Sequence, residues 1–100
     1  MVEAAELFNE SAFRRTIAGI AKSLGEPKAS IIPLSGTNGE VVLTVAWDIS
    51  WYQYRISPDS GQPVRLAERG HEPLELEALF TGWNAKLTGD GRIAPDIAKV

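Results

Sequence analysis

Apolar residues in this chain recur first at helical spacing, then with the two-residue period of strands, then at helical spacing again. Phe13, Ile17, Ile20 and Leu24 form the first stripe, and Arg14, Arg15 and Lys22 fall off it. The segment therefore predicts a helix with one face on a core and the other in water. Asn9 stands where an N-cap is expected, which puts Phe8 and Phe13 at the two positions of a hydrophobic staple. Gly25 and Pro27 stop the helix. Residues 2–8 either add a helical turn or fray.

Ser30 to Leu34 reads as a short strand, placed at a sheet edge because Pro33 has no N–H for a ladder. Asn38 and Gly39 predict a tight hairpin turn into a second strand. In that strand Val41, Leu43, Val45 and Trp47 share one face, opposite Val42, Thr44, Ala46 and Asp48. The apolar parity flips near Ile49, since Tyr52, Tyr54 and Ile56 become the apolar set against Trp51, Gln53 and Arg55. An unbroken strand from 41 to 56 would span about 53 Å, too long for a domain of this size. A tight reversal at 48–50 is the favoured reading, and a bulged, bent strand is the alternative. Ser57-Pro58-Asp59-Ser60-Gly61 then turns the chain into a fourth strand, Val64 to Arg69.

A second helix is predicted after Gly70, with Pro73 in its first turn and the stripe Leu76, Leu79, Phe80, Trp83 and Leu87 packed on the sheet. Gly89 and Gly91 end it, and the apolar tail from Ile93 to Val100 has too little pattern to place. The resulting fold is α+β, in the order α-β-β-β-β-α. A four-stranded antiparallel meander carries both helices on one face and leaves the other open. One domain covers residues 1–100, with 1–8 and 92–100 at its frayed ends. At the level of fold alone, an acidic domain of this kind resembles small dimeric chaperones and adaptors.

Composition narrows the functional classes. The chain has no cysteine, which removes disulfides, thiolate metal sites and thiol catalysis and leaves the cytoplasm as the expected compartment. The N-terminus has no basic lead-in or apolar run of a signal peptide, and no stretch matches a membrane span. A net charge of −3 repels phosphate backbones and acidic membranes, so nucleic acid would need a local basic patch.

Motifs for chemistry are sparse. His71 and Glu72 begin like a zincin motif, but position 75 is Glu and the chain has one histidine, so no metal site or cofactor is expected. Gly36 to Gly39 and Gly89 to Gly91 are explained by a hairpin and a helix end rather than by a phosphate loop. The densest stretch is Trp47 to Arg55. Pairing Tyr54 with Leu66 and Ile56 with Val64 sets Arg55 opposite Arg65 and Trp51 opposite Arg69 on the open face. In this register Glu68 has inward parity, a conflict that the pattern does not resolve.

Trp51, Arg55, Arg65 and Arg69 are therefore the candidate contact patch, with Trp47, Asp48 and His71 as secondary candidates. The leading expectation is a non-enzymatic interaction or adaptor module that self-associates, as a homodimer for instance, or docks a protein partner through the open sheet face. The alternatives are a solvated face with no role, an anion or single-stranded nucleic-acid binder using the same patch, and an enzyme centred on His71 with Asp48 or Glu72.

Overall fold

A computed structural model describes residues 2–34, 39–58, 61–72, 83–87 and 92–95. It is α+β. Two helices, α1 (Val2–Glu10) and α2 (Phe13–Leu24), precede β1 (Lys28–Pro33), β2 (Val41–Ala46), β3 (Trp51–Ile56), β4 (Val64–Gly70), β5 (Ala85–Leu87) and β6 (Ile93–Pro95). The strands form one antiparallel sheet in the order β4-β3-β2-β1-β5-β6. The expected meander is present as β1 to β4, but among the described residues the sheet has six strands rather than four.

Local signals explain most of α2. Ile17 is fully buried, and Phe13 and Ile20 pack against the core cluster. Gly25 ends the helix at φ 90°, a conformation glycine adopts without a Cβ penalty, and its N–H donates to the Ala21 carbonyl at 2.8 Å. The N-terminus differs from expectation. Residues 2–10 form a separate helix, and the residue at the α2 N-cap is Ala12, with no side-chain cap. Phe8 and Phe13 do not staple each other across a cap; both rings pack on Tyr54, with centroids at 5.3 and 4.9 Å. Asn9 is used in tertiary structure instead: its Nδ2 donates to the Ile93 carbonyl at 3.0 Å, and its Oδ1 accepts the Ile93 N–H at 2.7 Å.

The β1–β2 and β2–β3 hairpins follow the sequence pattern. Gly39 has the expected positive φ of 77°, while the Leu34 N–H to Glu40 carbonyl bond closes a connection over 35–39, longer than a two-residue turn. Asn38 lies outside the described residues. The parity flip is a tight reversal, because Ala46 pairs with Trp51 and the Trp47 N–H donates to the Ser50 carbonyl at 2.7 Å. Strand β1 is interior rather than an edge. It pairs with β5 only at Ala29–Ala85, so Pro33, at the far end, is not asked for a bond it cannot donate.

The predicted second helix lies outside the described residues over 73–82, and its expected end is corrected. Trp83 takes a positive φ of 47°, and Ala85 to Leu87 form β5. Leu87 is buried, but as a strand residue in the core cluster. Trp83 is half-buried at the rim of the sheet rather than in a helix stripe.

The core lies on the sheet face that carries Ala29, Ile31, Val41, Leu43, Val45, Tyr54 and Ile56, against Ala4, Ala5, Phe8 and Ile17 of the helices. The opposite face is not open at its centre. Its rows are Lys28–Ala46–Trp51–Gly70, Ser30–Thr44–Gln53–Glu68 and Ile32–Val42–Arg55–Arg65. Within them Ser30, Val42, Thr44, Ala46, Trp51 and Gln53 are all buried. Around this buried centre Lys28 on β1 and Arg65 and Glu68 on β4 are exposed, and Ile32 and Arg55 are half-exposed.

Candidate functional site

The candidate patch divides in the folded chain: Arg55 and Arg65 stay paired across the ladder, whereas Trp51 is buried and Arg69 opposes Tyr52 on the other face. The β3–β4 ladder holds the expected pairs Ile56–Val64, Arg55–Arg65 and Tyr54–Leu66, and then its register shifts between Gln53 and Tyr54, where Ala67 is the extra residue. A bulge of this kind reverses the parity of everything beyond it. Glu68 therefore opposes Gln53 on the Arg55–Arg65 face, and Arg69 opposes Tyr52 on the core face. This resolves the inward parity of Glu68, which is exposed.

Trp51 opposes Gly70, not Arg69, and is 5% exposed rather than open to solvent. Its indole N–H donates to the Glu72 carbonyl at 3.0 Å. The ring lies so close over Gly70 that a Cβ there would sit 2.5 Å from Cε2 and Cζ2. Only glycine admits that approach.

What remains at the surface is an edge strand and an arginine pair. Strand β4 ends the sheet, and its seven residues are exposed or half-exposed, with Leu66 at 43%. Arg55 and Arg65 face each other across the ladder, and neither has an ion-pair or hydrogen-bond partner among the described residues. Like charges directly opposite destabilise a sheet. The other end of the sheet is treated differently, since the Asn9 carboxamide occupies both backbone groups of Ile93 on β6.

The secondary candidates Trp47 and Asp48 meet at a second place, a cleft of about 210 Å³ lined by Leu24, Glu26, Lys28, Ala46, Trp47, Asp48 and Trp83. Trp47 is buried, its indole N–H donates to the Gly25 carbonyl at 2.8 Å, and its ring meets Tyr52 edge-on at 6.3 Å. Lys28 Nζ lies 5.8 Å from the Trp83 ring centroid, a cation–π distance. Sequence reasoning missed Glu26, Lys28 and the rim position of Trp83; the positive φ that turns Trp83 toward the cleft leaves no trace in periodicity. The cleft offers carboxylates, an ammonium group and indoles, with no serine, threonine or histidine among these residues.

His71 is exposed, one residue beyond the end of β4, and is not part of that lining. Among the described residues no group of three or more His, Asp or Glu side chains is placed to hold a metal, and no helix is long and apolar enough to cross a membrane. Among the described residues the one large shift in ionisation belongs to the core: burial, with the neighbouring Tyr52 adding to it, pushes the Tyr54 hydroxyl well above its ordinary value of 10.0. Comparison with protein families, with curated proteins and with solved structures finds no match.

Proposed function

We propose that this domain is a non-enzymatic protein-interaction module that takes an extended segment, of a partner protein or of a second copy, along the β4 edge. The observation that carries the reading is the exposure of Arg65 to Arg69 on β4, the end strand of the sheet among the described residues, where its outward N–H and C=O groups can pair with an added strand. Leu66, exposed beside those groups, supplies an apolar contact, and Arg55 and Arg65 supply charge. Trp51 supports the surface from beneath: its ring on Gly70 and its bond to Glu72 hold the C-terminal end of β4 in place. The contact is therefore displaced from the sheet face to its rim. The Trp47–Asp48 cleft favours no catalytic reading, since among the described residues no hydrogen bond or ion pair joins Lys28 to Glu26 or Asp48 as an activated nucleophile and its base would be joined.

The test is association of the whole chain, measured by sedimentation over a concentration series and by fluorescence anisotropy with an extended eight-residue peptide. Leu66→Ser is measured in parallel, since a half-exposed edge residue can be changed with the fold retained. The reading expects association in at least one format, weakened about tenfold or more by the substitution. Association that ignores Leu66→Ser, or no association in either format, overturns it.

A further inference from the structure

Resting on that reading, we infer that the segment added to β4 presents a carboxylate side chain in line with Arg55 and Arg65. Antiparallel strands align side chains in rows across a sheet, with opposed Cβ atoms roughly 5 Å apart. The row Ile32–Val42–Arg55–Arg65 stops at β4, the end strand of the sheet among the described residues. A strand added outside β4 extends this row by one position, directly beside Arg65.

The two guanidinium groups already in the row repel each other, and neither is neutralised by a partner among the described residues. A carboxylate in the next position meets Arg65 in the forked geometry that favours bidentate, charge-assisted bonds, and it relieves the Arg55–Arg65 repulsion at the same time. The neighbouring row limits the demand to one acidic residue. It ends in Glu68, beside which a second carboxylate would be repelled. The ligand chemistry is thus an extended peptide with a single carboxylate flanked by β-forming residues, rather than a polyanion.

The experiment compares two synthetic eight-residue peptides of alternating Thr and Val, one with a central Glu and the other with Gln at that place, each titrated into the whole chain. The Glu peptide is expected to bind at least tenfold tighter at low salt and to protect β4 amides from exchange. That preference is expected to vanish in Arg65→Gln. Equal binding of the two peptides, still sensitive to Leu66→Ser, leaves the edge reading standing and overturns the carboxylate. Failure of both peptides to bind, in a chain that still self-associates through Leu66, does the same. Tighter binding of oligothymidylate, without protection of β4 amides, overturns it in favour of a polyanion surface. A measurement free of any ligand tests the premise: Arg65→Glu places a carboxylate opposite Arg55 and is expected to raise the denaturation midpoint, and a fall in the midpoint overturns the inference.

Discussion

The side chain of Asn84 pairs with the backbone of Ile31 as a strand would, its Nδ2 donating to the Ile31 carbonyl at 2.9 Å and its Oδ1 accepting the Ile31 N–H at 2.7 Å. This continues the β1–β5 contact past its single ladder pair at Ala29–Ala85. One carboxamide satisfies a donor and an acceptor that would otherwise face a gap in the sheet. Asn84→Ala should cost about 2 kcal/mol, because both Ile31 groups lose their partner. Urea denaturation checks this, and an unchanged midpoint would mean that water replaces the amide at no cost.

Gly70 and Trp51 should behave as one unit. Gly70→Ala forces a Cβ against the indole and should cost about 1 to 3 kcal/mol, while Trp51→Ala, by emptying a buried site, should cost about 3 to 5 kcal/mol. The two should not add: in a Trp51→Ala background, Gly70→Ala should cost far less. Additive losses would show that the glycine is needed for its backbone instead.

Ser30 is fully buried in the row with Thr44 and Gln53, and its Oγ makes no hydrogen bond among the described residues, whereas Gln53 Nε2 donates to Thr44 Oγ1 at 3.2 Å. Ser30→Ala removes an unsatisfied hydroxyl and should raise stability by about 1 kcal/mol. A loss of similar size would reveal a bound water or partner at Oγ.

Tyr54 gives the fold a dependence on alkaline pH. Its hydroxyl ionises less readily in the folded core than in the unfolded chain, where the ordinary value of 10.0 applies. Above that pH the unfolded chain sheds a proton that the folded chain keeps, so stability is complete below pH 10 and declines as pH rises beyond it. Tyr54→Phe should flatten this decline. The checking measurement is the denaturation midpoint of both proteins across pH 8 to 11, and parallel curves would exclude Tyr54 as the cause.

Much of this architecture can be read from alternation alone. The Val41 to Trp47 face, the reversal at 47–50 and the Arg55–Arg65 pair follow from period-two patterning once Tyr54 is set against Leu66. The Ala67 bulge does not, because one extra residue in a strand leaves composition unchanged. Its only trace is the inward parity of Glu68, a charged residue that the bulge turns back to the surface. Strands β5 and β6 are three residues each, too short to show a period, and Leu87 happens to stand at helical spacing from Trp83. Asn9 carries a valid local cap signal that a tertiary bond to Ile93 outcompetes. The candidate patch was legible as residues but not as a surface: the buried ring of Trp51 and the reversed side of Arg69 both depend on the shifted register.

The most direct test of the β4 account is amide hydrogen exchange across the whole chain, with and without the Glu-bearing extended peptide. Outward-facing amides between Val64 and Gly70 should slow by at least tenfold on binding, while that of Ile93, already bonded to Asn9, should not change. Binding confirmed by calorimetry with β4 exchange unaltered, and protection appearing around Trp47 and Trp83 instead, would contradict the account and move the contact to the cleft.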